Sequence, residues 1–128
     1  MDLRIVDIRR RVAREGVACP DDIDAVDDIL EAEGVSVELL ILRGQLIQLV
    51  ADGREDELEE AFACYQEAIE LNPASAEAHE EMGHFLDDVA EDPREAASFF
   101  RKAIELGAGP SAEDGLREVL TQIESEEP

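Results

Sequence analysis

The tetrapeptide Ala68-Ile69-Glu70-Leu71 returns as Ala103-Ile104-Glu105-Leu106, 35 positions later. Self-similarity at that period marks an array of helical hairpins, in which each hairpin buries its apolar face against the next. Working outward from the two copies, helix breakers divide the chain into seven helical segments. The copies close the fourth segment, residues 54–71, stopped by Asn72-Pro73, and the sixth, which opens with Asp92-Pro93-Arg94-Glu95 and ends at Gly107-Ala108-Gly109-Pro110. An Asp cap, a Pro in the first turn and a Glu three residues after the cap form a strong start signal.

The other segments follow the same punctuation. Residues 2–15 carry Ile5, Ile8 and Val12 on one face and precede Gly16. Residues 21–33 begin after Pro20, with Asp21 and Asp22 suited to the positive end of the helix dipole, and run to Gly34, which can take the left-handed C-terminal conformation. Ser36 can cap residues 37–51, a segment so rich in Leu and Ile that it should be packed on both sides. Ser75 can cap residues 76–90, and a last helix covers 111–124. No segment alternates with period two, so the expected class is all-α.

Bulk composition agrees with a globular helical chain of 128 residues: 45% hydrophobic, 35% charged, 4% aromatic and no Trp. Such a core must be built from Leu, Ile, Val and Ala. The formal net charge is −23, from 34 acidic and 11 basic residues. Residues 1–15 hold Arg4, Arg9, Arg10, Arg11 and Arg14 against Asp2, Asp7 and Glu15, so the segment is +2 and the remainder −25. A body of that sign repels phosphate backbones and anionic membrane surfaces and draws in cationic partners. Solubility or a salt-rich habitat are the competing readings of the same acidity.

Cys19 and Cys64 form neither a disulfide framework nor a metal motif, and mid-helix Cys64 serves as a small hydrophobe. The first 14 residues lack the apolar run of a signal peptide, and no stretch approaches membrane-spanning length, so a cytoplasmic location is expected.

Aligning the helix pairs sharpens the repeat. Residues 37–71 supply Leu40, Arg43-Gly44, Ile47, Ala61, Tyr65, Ala68 and then Pro73. The next pair supplies His79, Met82-Gly83, Leu86, Ala96, Phe100 and Ala103. Over about residues 36–110 this resembles the tetratricopeptide repeat: a large residue, Leu-Gly and an aromatic in the first helix, Ala, an aromatic and Ala in the second, and a closing Pro. Physically, Gly44 and Gly83 should let helix backbones approach, Tyr65 and Phe100 should fill the gap to the neighbouring hairpin, and Leu40 or His79 with Ile47 or Leu86 should line the seam. Arg43 departs from the usual Leu, so that hairpin is looser or its Arg lies along the interface. Ile47 and Ala61 are 14 residues apart against 10 from Leu86 to Ala96, which places a longer connection near Asp52-Gly53.

The resemblance implies antiparallel helical hairpins in a right-handed superhelix. Residues 1–35 would be a degenerate first hairpin, 36–73 repeat one, 74–110 repeat two, and 111–128 a capping helix with the stripe Leu116, Val119, Leu120 and Ile123. It also implies a concave groove lined by the first helix of each repeat and holding a peptide or partner helix. Here the groove residues would be Glu38, Ile41, Gln45 and Gln48, followed by Glu77, Glu80, Glu81, His84, Asp87 and Asp88. The cations with which the family's best-known groove clamps the acidic tails of heat-shock chaperones are missing. A basic or basic-amphipathic protein partner fits this carboxylate wall better.

Candidate chemistry is sparse. His79 and His84 lie five apart, about 140° around a helix, whereas a shared zinc needs an i, i+4 pair. The acidic runs lack the alternating ligands of a calcium loop. No phosphate loop or nucleophile setting is present, so neither an enzyme nor a cofactor or metal is expected. Two rival readings remain. The Arg-rich first helix could dock on a neighbouring copy, giving a homodimer or a self-assembling scaffold, or the acidic surface could mimic nucleic acid without binding it.

Overall fold

Short-range hydrogen bonds set the ends of the helices. In the computed structural model, which describes residues 2–51 and 55–126, Ser36 Oγ accepts the Leu39 N–H at 3.2 Å, Ser75 Oγ accepts that of Ala78 at 3.2 Å, and Asp92 Oδ1 accepts that of Glu95 at 3.2 Å. Each bond satisfies one of the donors that a helix start leaves without an internal partner. Among the described residues, seven helices result: α1 Leu3–Glu15, α2 Pro20–Glu33, α3 Val37–Ala51, α4 Glu55–Leu71, α5 Ala76–Asp88, α6 Pro93–Glu105 and α7 Pro110–Glu126. The fold is all-α, and the ends lie close to those expected from the breakers. The connection expected near Asp52-Gly53 falls outside the described residues.

Two local details differ from expectation. Gly34 has φ +91° with ψ 174°, so α2 ends in an extended turn that only Gly adopts readily rather than in a left-handed helical one. Gly16, after α1, does take the left-handed conformation, at φ +70°. Asp22 is not a solvated dipole partner. It is buried, accepts the Cys19 N–H at 3.0 Å and pairs with Arg11 of α1, which ties the start of α2 to α1.

The chain divides into two compact units, residues 1–64 and 65–128, with the division inside α4. In the first, α2 packs on α1 and α3. Its core joins Ile8, Val26, Ile29, Leu39, Leu42 and Leu46, flanked by half-buried Ile5, Val12, Ile23 and Leu30. Burial of these side chains is the main driving force, at about 25 cal/mol for each Å² of apolar surface removed from water.

Arg43 lies along the interface, the second of the two outcomes expected for it. Its Nε donates to Asp27 Oδ1 of α2 at 2.6 Å and its Nη1 to Cys64 Sγ of α4 at 3.3 Å. Burial of the guanidinium works against its charge, but the bonds to Asp27 and Cys64 outweigh that effect and keep it protonated.

In the second unit α6 packs on both α5 and α7, and α5 also touches α7. Tyr65 and Phe85 meet edge to face with centroids 6.0 Å apart. Phe100, fully buried, has no room for a Cβ on either side: one built on Gly83 would fall 2.9 Å from its ring and one on Gly115 2.6 Å. Gly83 therefore seats an aromatic ring, not another helix backbone. Helix α7 buries Ala112, Gly115 and Val119, half-buries Leu116, Leu120 and Ile123, and turns Glu113, Asp114 and Glu118 outward.

Candidate functional site

Helix α5 carries most of the acidic residues singled out from the sequence. Glu77, Glu80, Glu81, His84, Asp87 and Asp88 recur at the helical period within one unbroken helix, so they share one stripe. The opposite face buries Ala78, Met82, Phe85 and Leu86, which fixes the stripe's orientation toward the outside of the unit. Glu77 and Asp88 are exposed, while Glu80, Glu81, His84 and Asp87 are half-buried.

Helix α7 contributes to this half-burial at His84 and Asp87. Gln122 Nε2 donates to Asp87 Oδ1 at 2.9 Å, and Ser111 Oγ lies 3.4 Å from His84 Nε2. The same His84 nitrogen is 3.3 Å from Glu80 Oε2, one turn away on α5, and its ring stands edge-on to Phe100 with centroids 4.9 Å apart. One flank of the acidic stripe is thus formed by α7, through Ser111 and Gln122, two residues that sequence reasoning did not single out. Their signal was weak, because a polar residue on a terminal helix reads as solvated.

The two histidines do not converge. His79 is buried, its Nε2 donating to the Pro73 carbonyl at 2.9 Å and its ring lying 5.9 Å from that of Phe99. Among the described residues, no three His, Cys, Asp or Glu side chains gather in a way that could hold a metal ion.

In the first unit the expected residues of α3 divide. Glu38 is exposed, and Gln45 and Gln48 are half-buried. Ile41 departs from expectation: at 1% exposure it belongs to the packed interior and offers no side chain to a ligand. The helical period groups it with Gln45 and Gln48, but an apolar residue gains free energy by turning inward when the neighbouring surface admits it. Glu38 borders a hollow of about 250 Å³ whose floor is Ile5, Val6 and Leu39 and whose rim adds Arg9 and Glu33. That rim is of mixed sign. Arg9 and Val6 of α1 were not among the expected site residues, although the pairing of apolar and basic residues in that helix was visible.

Residues 55–86, which comprise α4 and most of α5, match the family model described as TPR repeat. No curated protein sequence matches the chain. Among solved structures, the chain is similar to the Sgt2 TPR domain from Aspergillus fumigatus, with a TM-score of 0.78 and 21% identity over 99% of this chain and 84% of that one. The likeness establishes the fold. Among the described residues, no helix is long and apolar enough to cross a membrane.

Proposed function

We propose that this chain, which carries a tetratricopeptide repeat and has the fold of a tetratricopeptide domain, is a non-catalytic module that binds a basic or basic-amphipathic segment of another protein. Such repeats hold hairpins in register and leave one helix face of each open to a ligand. Residues 1–35, 36–73 and 74–110 serve as the hairpins in this reading, and residues 111–128 as the cap.

The observation that carries the reading is the acidic stripe on α5, held in place from below by Met82, Phe85 and Leu86 and flanked by α7. Carboxylates on a rigid helix recognise Lys and Arg through charge-assisted hydrogen bonds and steer their approach. Glu38, Gln45 and Gln48 of α3 offer amide and carboxylate contacts of the same kind. A chain at −23 adds a long-range field that favours a cationic partner over an anionic one.

A blocked helical peptide of alternating lysine and leucine pairs serves as the probe, read by fluorescence anisotropy. Replacing Glu77, Glu80 and Asp88 together by Lys should weaken binding at least about tenfold while leaving helicity intact, since each charge-assisted contact is worth about 1.5–3 kcal/mol at most. An unchanged dissociation constant in a folded triple variant would sink the assignment of the α5 stripe.

A further inference from the structure

Away from the α5 stripe, in the first unit, three helices each present a pair of residues three apart to one hollow of about 310 Å³: Pro20 and Ile23 of α2, Ile47 and Val50 of α3, Glu57 and Glu60 of α4. Residues three apart stack on the same face of a helix, so each pair forms one wall. Two walls are apolar and the third is acidic. We propose that this hollow is an anchor pocket for one long basic side chain, arginine or lysine, from a segment of a partner protein. The proposal does not rest on the α5 stripe.

The chemistry of the walls selects the occupant. A purely apolar side chain would take the largely exposed Glu60 out of water and bring no charge to meet it, which is costly. An anion would be repelled. Arginine and lysine combine a flexible aliphatic stem, which suits the Pro20, Ile23, Ile47 and Val50 walls, with a cationic head for Glu57 and Glu60. The volume is about twice the ~150 Å³ of an engineered cavity that takes benzene, so the stem fits with its water displaced.

Arg43, which reaches Glu60 without lining the hollow, leaves that carboxylate room for another cation. Arg43 gives its short contact, 2.6 Å, to Asp27 and approaches Glu60 only to 3.8 Å, an ion-pair separation without a hydrogen bond. Glu60 keeps 64% of its side chain exposed. A second copy of the chain is the less favoured source of the basic side chain. Its α1 is Arg-rich, but two bodies of charge −23 repel each other as whole molecules.

Methyl NMR on the full chain tests the pocket, with a blocked peptide copying residues 3–15 as the probe because it is basic, amphipathic and of defined sequence. The expected result is saturable shifts of the Ile23, Ile47 and Val50 methyl signals. They should be lost when the peptide's arginines are replaced by citrulline, which keeps the stem and removes the charge. They should also be lost when diaminobutyrate keeps the charge and shortens the stem. Glu57→Gln with Glu60→Gln should weaken the interaction about tenfold, and Val50→Phe, which fills the hollow, should abolish it with the α-helical spectrum retained.

The α5 triple Lys variant should still show the pocket shifts, so the two sites fail or stand separately. Shifts confined to other methyls, or unchanged affinity in both folded pocket variants, would overturn the proposal. Shifts of the same methyls with protein concentration alone would overturn it in favour of a second copy as occupant.

Discussion

The ring of Phe100 occupies the space that a Cβ on Gly115 would need, at 2.6 Å, and Gly83 faces the same ring from the other side at 2.9 Å. An aromatic side chain on α6 is thereby clamped between the bare backbones of α5 and α7. Because Phe100 is fully buried, its ring has nowhere to move.

Gly115→Ala should therefore destabilise the protein by about 1–3 kcal/mol, the usual cost of overpacking, even though alanine is the better helix former by about 1 kcal/mol. Shortening the ring partner, Gly115→Ala with Phe100→Leu, should cost less than the two single losses added together, because the substitutions relieve one clash. Urea midpoints of the four proteins measure this. Strict additivity would show that the contact does not govern packing here.

Asp22 gives the fold an acid-sensitive joint. Burial pushes its carboxyl up, but the Arg11 guanidinium and the Cys19 N–H more than offset this and hold it below the ordinary 3.8. A group whose folded pKa is depressed contributes stability that is present above the ordinary value and is lost as pH falls through the folded one. Asp22→Asn should cost about 1–2 kcal/mol at neutral pH, in line with the loss of a cap and a charge-assisted bond. The gap between wild type and variant should narrow as the pH falls below 3.8. A gap independent of pH would mean that Asp22 acts by shape alone.

Arg43 is bonded to α2 and α4, and its partner Asp27 is 44% exposed, so removing the cation strands no buried charge. Arg43→Leu should thus stay within about 1 kcal/mol of wild type, because Leu keeps apolar packing there while Asp27 and Glu60 stay solvated. Arg43→Ala should cost about 1–3 kcal/mol, because it also removes the packed stem and leaves a void. Equal losses in both variants, measured by urea denaturation, would locate the stability in the charge instead.

Much of the fold was legible because its signals are local. Ser36, Ser75 and Asp92 each bond to a backbone N–H three residues ahead, so a cap can be read without knowing anything distant. The site was legible only in part. Helical period placed Glu77 through Asp88 on one stripe, but the stripe's flank came from Ser111 and Gln122, the latter 35 residues beyond its partner Asp87. Ile41 shared the period of Gln45 and Gln48 and went inward instead. The pocket under Glu57 and Glu60 needed three pairs from three helices, and no single window of sequence contains them.

The helices, their order and the 35-residue spacing are written in the chain, because capping, breaking and the 3.6-residue period act within a few positions of one another. What each helix face meets follows from packing across the fold: Gly83 and Gly115 share one ring, Arg43 turns to Asp27 and Cys64, and Ile41 is covered. Those outcomes depend on which surfaces fill space together across long separations in the chain, and close packing settles them.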